Sequence, residues 1–437
     1  MDLQKLLAWL ESHINIEATA GKVEGLSLAR MERLLELLGN PHLDVPAVHL
    51  TGTNGKGSTA QMITRILVAH GLSVGTYASP HIEKINERIQ RDAEPITDAD
   101  LATTLVDVRL AADHMTAADD PPSWFEIVTA TAFRYFSDAA VDAAVIEVGM
   151  LGRYDATNVA ATRVAVVTNV RKDHTDGAHG WREAIASEKA GIVKPTVSLV
   201  LGETDPAMQQ IFLDEGPAAA LVRNVDFETG TNVTAIGGRM IDVRTPRTTY
   251  DEVFVSLHGE HQGHNAALAI VAAEEFLDAE LIREHLDLAL SEAMMLGRFE
   301  IIAREPLIVL DGAHNVAGAE VAARTLAEDF HVFGGRFLLV GMMRGKSPAE
   351  LLEALDVRSA DLVVCCEPNW PRALPAAELG AIAVGLGAQT EVIASPIDGI
   401  ERLLALSTEN DSILVTGSMY VVGAVRRAAS ASVHSPE

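Results

Sequence analysis

Residues 46–71 read PAVHLTGTNGKGSTAQMITRILVAHG and contain an apolar run, a glycine-rich turn and a helical pattern. The apolar run Val48–Leu50 predicts a buried strand, and apolar residues recur at helical spacing from Met62 to Leu67 before Gly71 ends the pattern. A strand, a glycine-rich turn and a helix in this order form the context that a nucleotide-binding loop requires. The stretch therefore predicts an α/β domain with a phosphate-binding turn after one of its strands.

The turn at residues 51–58 has the parts of a phosphate loop. Its glycines let backbone N–H groups approach phosphate oxygens, and the N-terminus of the following helix adds a positive dipole. Lys56 can reach the terminal phosphates, and Ser58 can ligate Mg²⁺. Because Gly57 separates Lys56 from Ser58, the spacing differs from the standard phosphate-loop pattern. The alternative is a tight glycine turn with an exposed lysine, but the flanking strand and helix favour a phosphate loop.

Short apolar runs alternate with helical patterns on both sides of this turn, which predicts a mostly parallel sheet covered by helices. The runs that follow the first strand are Val74–Ala78, Ala143–Val148 and Val164–Thr168. Between Asn224 and Leu257 the pattern changes to short alternating segments with turn signals, which indicates a small antiparallel patch. A helical pattern resumes near Asn265.

A second alternating series predicts a smaller, Rossmann-like α/β domain. Its apolar runs are Leu307–Leu310, Phe337–Val340, Leu362–Cys366, Glu391–Ala394 and Ile413–Thr416. The fold class is therefore α/β, with a phosphate-loop ATPase-like domain over residues 1–297 and a second domain over residues 298–437. The 437 residues agree with this division, since a domain usually takes about 150 residues.

The composition excludes several classes of partner. The net charge of −27, from 61 acidic and 34 basic residues, would repel nucleic acids and anionic lipids. The two cysteines, Cys365 and Cys366, are adjacent in an apolar run and offer no disulfide framework. No signal peptide is evident at Met1, and no apolar run reaches the roughly 18 residues that a membrane span needs. We expect a cytoplasmic protein that binds neither nucleic acid nor membrane.

Two side chains follow strands that are consecutive in the chain, at the edge of the sheet where ligands bind. Glu147 ends one strand among apolar residues, and metal coordination would offset the cost of burying its carboxylate. The alternative is that backbone N–H groups or an arginine such as Arg153 satisfy it. His174 follows the next strand and is a candidate metal or water-mediated ligand, although a loop histidine is more often an ordinary surface residue. Lys189 closes a helix and, by itself, is an ordinary helix-end cation.

Taken in order, the motifs of the chain resemble those of the folylpolyglutamate synthase and dihydrofolate synthase family, within the Mur ligase superfamily. The motifs are Gly52–Ser58, Ser79–His81, Asn86–Ile89, Phe125–Glu126, Arg153–Asn158, Asp173–His174, Glu188–Ile192, Gly259–Gln262 with Asn265, Asp311–Asn315 and Thr416–Ser418. They extend over nearly the whole chain.

The resemblance implies an ATP-dependent amide ligase of folate biosynthesis and one-carbon metabolism. Such an enzyme activates a carboxylic acid as an acyl phosphate and couples it to L-glutamate, here with dihydropteroate or a reduced folate as the acceptor. The implied cofactors are ATP and two Mg²⁺ ions, with K⁺ as a further candidate, and the implied state is a monomer. Closure of two domains would protect the acyl phosphate from water.

The resemblance also assigns roles to residues of this chain. The implied metal ligands are Ser58, Ser79, Glu147, His174 and Lys189, the last in a carbamylated form. The implied nucleotide-binding residues are Asn54, Gly55, Lys56, Gly57, Ser58, Asn265, Arg298 and Asp311. The implied substrate contacts are Phe125, Glu126, Tyr154, Asp155, His314 and Ser418, and the implied catalytic residues are Lys56, His174, Lys189 and His314. For Phe125 and its neighbour Trp124 the alternative is core packing.

Three segments depart from the family pattern. Residues 149–153 read Gly-Met-Leu-Gly-Arg where the family usually has Gly-Leu-Gly-Gly-Arg, so Leu151 replaces a glycine near Glu147. Residues 169–174 are more basic than expected, and residues 341–347 lack the usual acidic residues. These changes leave the ATP chemistry intact but bear on the acceptor, so a related ligase for a different carboxylic acid is an alternative. A nucleotide-binding regulator that has lost catalysis is a third hypothesis, and the presence of Lys56, Glu147, His174, Lys189, Asp311 and His314 argues against it.

Overall fold

The computed structural model describes residues 2–15, 27–118, 120–172 and 180–433. Three sheets organise these residues: one of eight strands, one of three and one of six. None of the helices within the described ranges is long and apolar enough to cross a bilayer. The mixed α/β architecture with a separate C-terminal sheet confirms the predicted fold class.

The eight-stranded sheet carries the phosphate-binding turn. Its strands are β1 (Ala47–Thr51), β2 (Val74–Tyr77), β3 (Ile89–Arg91), β4 (Glu94–Pro95), β5 (Ala143–Glu147), β6 (Thr162–Val167), β7 (Ser198–Leu201) and β8 (Ala219–Val222). They lie in the order β4-β3-β2-β5-β1-β6-β7-β8, and all neighbouring pairs are parallel except β2 with β3 and β3 with β4. The predicted strands β1, β2, β5 and β6 are confirmed, whereas the short antiparallel edge strands were not predicted. Strands β5, β1 and β6 are therefore neighbours, and their carboxyl ends share one edge.

Helices cover both faces of this sheet because successive strand side chains point to opposite sides. Val145 packs with helices on one face, and its neighbours Ala144 and Ile146 pack with those on the other. The helices are α1 (Leu3–Leu10), α2 (Ala29–Leu37), α3 (Lys56–Ala69), α4 (Asp98–Ala117), α5 (Trp124–Asp138), α6 (Trp181–Ala190), α7 (Pro206–Leu213), α8 (Glu260–Leu277) and α9 (Arg283–Ser291). Helix α8 begins five residues before Asn265, where the sequence predicted that helix would resume.

The predicted antiparallel patch is confirmed as a three-stranded sheet. Its strands are β9 (Glu228–Ala235), β10 (Gly238–Arg244) and β11 (Thr249–Val255), in the order β11-β10-β9. Ile241 and Val253 of this sheet are fully buried in the same core as α3 and α8. The patch thus packs on the face of the large sheet that carries the phosphate-loop helix.

The C-terminal sheet has the order β12-β13-β17-β14-β15-β16. Its strands are β12 (Glu300–Arg304), β13 (Leu307–Leu310), β14 (Arg336–Val340), β15 (Leu362–Cys365), β16 (Thr390–Val392) and β17 (Ser412–Thr416). Its helices are α10 (Val316–Asp329), α11 (Pro348–Ala354), α12 (Ala376–Gly385), α13 (Pro396–Leu406) and α14 (Met419–Val433). The antiparallel strand β12 was not predicted, and the other five match the predicted runs. Because β17 lies between β13 and β14, the loops that follow β13 and β17 meet at one edge.

The predicted domain boundary near Gly297 falls in the segment between α9 and β12. Strand β12 pairs with β13 and so belongs to the C-terminal sheet. The division into domains of residues 1–297 and 298–437 stays a prediction.

Candidate active site between two sheets

The phosphate loop connects β1 to α3 and lies against the end of β6. Gly55 has a φ of 85°, a left-handed conformation that glycine adopts without strain. Gly52 has no room for a side chain, because a Cβ atom there would lie 1.8 Å from Oγ1 of Thr168. The carbonyl of Asn54 accepts hydrogen bonds from Thr168 Oγ1 at 2.7 Å and from Asn169 Nδ2 at 2.9 Å. The residues after β6 therefore fix the shape of the loop.

Two lysine ammonium groups converge on this loop. Lys56 Nζ donates to the carbonyl oxygens of Gly52 at 3.1 Å and Thr53 at 3.3 Å. Lys189, near the end of α6, donates to the same Gly52 oxygen at 2.8 Å and is only 5% exposed. The structure thus brings Lys189 to the phosphate loop, which its helix-end position alone did not predict. As an ammonium it donates hydrogen bonds and has no lone pair for a metal, so a metal-binding role requires chemical modification.

Glu147 lies beside the first turn of α3. Its carboxylate is 4% exposed, and Oε2 accepts a hydrogen bond from the backbone N–H of Ser79 at 3.3 Å. A Cβ atom on Gly57 would lie 3.5 Å from the same oxygen. Burial raises the pKa of Glu147, and the positive charges of Lys56 and Arg298 act against that rise. A cation at this point would offset the cost of burying the carboxylate.

Glu147 offers carboxylate oxygens, the type of ligand that a hard divalent cation prefers. Ser58 is buried at the start of α3, and Ser79 contacts Glu147 through its backbone, so two hydroxyl-bearing residues accompany one carboxylate. Within the described ranges, no three His, Cys, Asp or Glu residues form a metal-binding group by themselves. The predicted ligand His174 lies outside the described residues. The alternative partner Arg153 is engaged elsewhere, with the carbonyl of Ser187 and the carboxylate of Glu215.

Asn265 on α8 packs over the phosphate loop. A Cβ atom on Gly55 would lie 2.5 Å from Asn265 Oδ1, so only glycine permits this approach. Asn265 Nδ2 donates to Gln262 Oε1 at 3.0 Å, and Gln262 Nε2 donates to Ser58 Oγ at 3.4 Å. Gln262 was part of a quoted motif but had no predicted role, because its contacts depend on tertiary packing. It connects the predicted nucleotide residue Asn265 to the predicted metal ligand Ser58.

Asp311 brings the second sheet into the site. It follows β13, and its carboxylate accepts the backbone N–H groups of Phe299 and Ala313, both at 2.8 Å. Burial raises the pKa of Asp311, and the charge of Arg298 lowers it. Arg298 acts in the same direction on Glu147, and it therefore lies within electrostatic reach of one carboxylate from each sheet. Arg298 Nη1 also lies 3.4 Å from the carbonyl oxygen of Gly312, next to Asp311, and the nucleotide-binding roles of Arg298 and Asp311 stay predictions.

His314 and Ser418 lie on the two adjoining loops of the second sheet. His314 Nδ1 is 3.0 Å from the carbonyl oxygen of Gly312. Ser418 is buried, and its hydroxyl accepts the backbone N–H of Tyr420 at 3.2 Å. The N–H of Gly417 donates to the carbonyl of Ala313 at 3.0 Å, which joins the two loops. Both predicted substrate residues therefore lie at the same edge as Asp311.

The predicted acceptor contacts on the first sheet are mostly committed to local structure. Glu126 closes a capping box with Ser123 at the start of α5 and forms an ion pair with Arg30 at 2.8 Å. Asp155 is buried and accepts the backbone N–H groups of Met150 at 2.8 Å and Thr157 at 3.0 Å. These carboxylates have structural partners, and their substrate roles stay predictions.

The aromatic residues among the predicted acceptor contacts, and their neighbour Trp124, differ in how far they are buried. Trp124 is buried in the core, which confirms the packing alternative for that residue. Phe125 is half-buried and touches the loop after β5, where a Cβ atom on Gly149 would lie 2.3 Å from Phe125 Cζ. Tyr154 is 44% exposed. Phe125 and Tyr154 thus remain the members with surface available to a ligand.

The structure shows what the residues in the three segments that depart from the family pattern contact. Leu151 has a φ of 62°, so it adopts the left-handed conformation that the replaced glycine would favour, and its carbonyl accepts the Thr51 hydroxyl at 2.6 Å. Lys172 pairs with Glu350 of α11 at 3.0 Å. Arg344, in the segment without acidic residues, lies 3.6 Å from Glu378 of α12. The added cations therefore have carboxylate partners elsewhere in the fold.

Comparison with known proteins establishes the family. The Mur ligase middle domain matches residues 50–273, and the Mur ligase glutamate ligase domain matches residues 297–419. Dihydrofolate synthase/folylpolyglutamate synthase of Mycobacterium tuberculosis is 34% identical over 92% of this chain and 89% of that protein. The Bacillus subtilis protein of the same name is 32% identical over 97% of this chain and 98% of that protein. The chain belongs to the dihydrofolate synthase/folylpolyglutamate synthase family.

Solved structures of this family have the same fold. A Mycobacterium tuberculosis folylpolyglutamate synthase complexed with ADP and AMPPCP matches with a TM-score of 0.91 and 31% identity, over 100% of this chain and 99% of that one. An Escherichia coli structure in complex with DHPP and ADP matches with a TM-score of 0.87 and 27% identity, over 99% of both chains. A Yersinia pestis bifunctional synthase with Mn, AMPPNP and L-glutamate bound matches with a TM-score of 0.84 and 26% identity, over 98% of both.

Proposed function

We propose that this protein is an ATP-dependent ligase that joins L-glutamate to dihydropteroate, to reduced folates, or to both, through an acyl phosphate. The observation that carries the proposal is that the phosphate loop meets the loop bearing Asp311, since Asn315 Nδ2 donates to Asn54 Oδ1 at 2.9 Å. Membership of the family and the nucleotides in the related structures support ATP as the phosphoryl donor. The DHPP and L-glutamate in two other relatives support the substrate class.

The residues of the phosphate loop bind and orient the phosphates in this proposal. A carboxylate becomes a good electrophile when one oxygen is converted to a phosphate leaving group, and the transferring phosphoryl group carries negative charge. The N-terminus of α3 presents its N–H groups to that charge, and Lys56 adds a positive charge next to it. The amine of glutamate then attacks the acyl carbon, and the amide bond forms as inorganic phosphate leaves and the amine releases a proton. Arg298 supplies positive charge to this site.

A divalent cation fits the oxygen atoms around Glu147. Ser58, Ser79 and Glu147 would hold it, and His174 and a carbamylated Lys189 complete the set that the family resemblance implies. When bound, Mg²⁺ supplies positive charge that neutralises phosphate oxygens during transfer. The Mn in the Yersinia pestis relative supports a divalent metal. Two Mg²⁺ ions and a K⁺ ion are the finer proposals for this chain.

Carbamylation of Lys189 would convert the cation at Gly52 into an anion. Lys189 Nζ donates a hydrogen bond to the Gly52 carbonyl, and a carbamate oxygen, which is an acceptor, would have to point away from that carbonyl. The N–H that a carbamylated Nζ retains could keep the bond to Gly52, and the added carboxylate would supply oxygen ligands for a divalent cation. Mass spectrometry of the native protein under bicarbonate checks this proposal, with an added mass of one carbon dioxide on Lys189 as the expected result.

Phe125, Tyr154, His314 and Ser418 are the proposed substrate contacts, with Glu126 and Asp155 supporting them from the first sheet. His314 and Ser418 lie on the loops of the second sheet and are proposed to face the incoming glutamate. We further propose a cytoplasmic monomer with small-molecule partners only, in keeping with the net charge of −27.

The deciding experiment measures ADP release with dihydropteroate, L-glutamate and Mg²⁺ATP. We expect release that depends on glutamate and falls by about 100-fold or more in Lys56→Ala, because the phosphates lose a positioned positive charge. Lys5→Ala, which changes an exposed lysine of α1, is the matched control and should behave as wild type. Reduced folates serve as the second acceptor. A folded, ATP-binding wild type that releases no ADP with either acceptor would contradict the proposal.

A further inference from the structure

Two asparagine side chains meet where the phosphate loop faces the second sheet. Asn315 Nδ2 donates to Asn54 Oδ1 at 2.9 Å, and Asn54 Nδ2 lies 3.5 Å from Asn315 Oδ1 in the reverse direction. Each amide thus presents a donor and an acceptor to the other. Asn315 is 7% exposed, so the pair is largely shielded from water. Asn54 had a predicted nucleotide-binding role, whereas Asn315 was part of a motif without an assigned role.

The backbone of Asn54 is fixed to the first sheet. The side chain of Asn169 accepts the N–H of Asn54 at 3.2 Å and donates to its carbonyl at 2.9 Å, which imitates the pairing of two strands. Thr168 Oγ1 adds a further hydrogen bond to the same carbonyl. With its backbone bound in this way, Asn54 reaches the second sheet through its side chain.

Asn315 is fixed to the second sheet by its position at the start of α10. Its Oδ1 accepts the N–H of Gly318 at 2.8 Å and so caps the helix. This bond also sets the orientation of the amide, because Oδ1 must face the helix and Nδ2 must face Asn54. Asn315 directly follows His314 and lies four residues after Asp311, whose carboxylate rigidifies the loop by accepting the N–H of Ala313. A displacement of Asn315 therefore displaces His314 and its loop.

We propose that the Asn54–Asn315 amide pair sets the register of the loop at residues 311–315 against the phosphate loop. Asn315 is then a positioning residue for the two-sheet site, acting through Asn54 and the loop to which it belongs. The inference rests on the proposed function, since reacting groups contributed by two sheets must be aligned within a fraction of an ångström. The pair is neutral, so it can form and separate as the two sheets approach and withdraw without leaving an unpaired buried charge.

A double-mutant cycle on ADP release tests the proposal. Asn315→Ser keeps a hydroxyl that can cap α10 but is too short to reach Asn54, and Asn54→Ala removes the other partner. Each single change should lower kcat/KM for ATP by about tenfold, and the double variant should be no worse than the poorer single variant, because both break the same contact. The Tm of Asn315→Ser should stay near that of wild type. Asn410→Ser, at an exposed turn before β17, is the control for replacing an asparagine.

Effects that multiply to about a hundredfold in the double variant would show independent roles for the two residues and overturn the proposal. Single variants with wild-type kcat/KM would do the same. If the wild type itself releases no ADP, the proposed function fails and the pair is tested by hydrogen exchange instead. AMPPNP should then increase the protection of amides 312–318 in wild type but not in Asn54→Ala, and equal protection in both proteins would refute the coupling.

Discussion

The phosphate-loop edge of the first sheet and the acceptor side of the same sheet differ in how their polar side chains are satisfied. At the phosphate-loop edge, Glu147 accepts one long hydrogen bond from the backbone N–H of Ser79, and Lys56 donates to loop carbonyls that a ligand could replace. On the acceptor side, Glu126 and Asp155 are occupied by helix caps, turns and an ion pair. Polar side chains with few hydrogen-bond partners therefore lie at the edge where charged ligands would bind. Side chains whose hydrogen bonds are complete support that edge.

The largest effect should follow from neutralising Glu147. Glu147→Gln keeps the shape but removes the charge that would hold a cation, so we expect ADP release to fall by about 100-fold or more. The Tm should rise, since burial raises the pKa of Glu147 and ionising it in the folded state is unfavourable. Steady-state kinetics and calorimetry of the same preparation measure both changes.

The pH dependence of the difference in Tm between Glu147→Gln and wild type provides an independent test. A carboxyl group whose pKa is raised in the folded state contributes stability below its usual value of 4.5 and loses it as the pH rises through the folded pKa. The advantage of Glu147→Gln in Tm should therefore be small in acid and grow towards neutral pH. An advantage that shrinks with rising pH would mean that the surroundings stabilise the ionised carboxylate of Glu147, and it would contradict the incomplete hydrogen bonding of this group.

Asp155 should respond differently to loss of its charge, because hydrogen bonds from Thr157 and Met150 oppose the rise in pKa that burial causes there. Asp155→Asn places an amide N–H group against one of the backbone N–H groups of Met150 and Thr157, so one hydrogen bond is replaced by repulsion. We expect a loss of about 2 kcal/mol in the free energy of unfolding, measured by urea denaturation, with little change in KM for ATP. A stable variant with a raised KM for the acceptor would instead assign Asp155 to the substrate.

The sequence predicted the phosphate-loop edge better than the acceptor side for a physical reason. The loop at residues 51–58 is local, and the order of strands places Glu147 beside it, because β5 and β1 are neighbours in a parallel sheet. The partners of Glu126 and Asp155 include Arg30 and Met150, and these contacts depend on how loops pack. Motif resemblance locates such residues but does not separate a substrate contact from a cap.

The roles of Gln262 and Asn315 were missed for the same reason. Both stood in quoted motifs, but their partners Ser58 and Asn54 lie more than 200 positions away in the chain. The antiparallel strand β12 was missed because its residues carry no clear alternation, and its pairing with β13 decides its structure. The strand-rich cores were predictable because their apolar runs are continuous.

Leu151 offers a test of backbone strain beside the phosphate-loop edge. Because its φ is 62°, we expect Leu151→Gly to be more stable than Leu151→Ala by about 1 kcal/mol, the reverse of the usual order for these residues. Both variants lose the leucine side chain beyond Cβ and differ from each other by one methyl group, so their difference reports mainly on the backbone conformation. Equal stabilities, or a more stable alanine variant, would show that this turn carries no strain and that the missing glycine has no consequence there.

The smallest effect should come from the added cation Lys172. Its ion pair with Glu350 joins the two sheets, but both side chains are largely exposed, and such pairs contribute at most about 1 kcal/mol. Lys172→Met should therefore change the Tm by no more than a few degrees and kcat/KM for ATP by less than about threefold, with Glu350→Gln as the matched variant. A much larger loss in Lys172→Met alone would mean that Lys172 acts on a substrate rather than on Glu350. That result would add Lys172 to the ligand-binding residues of the phosphate-loop edge. The basic segment at residues 169–172 would then be the first place to look for contacts with a different acceptor.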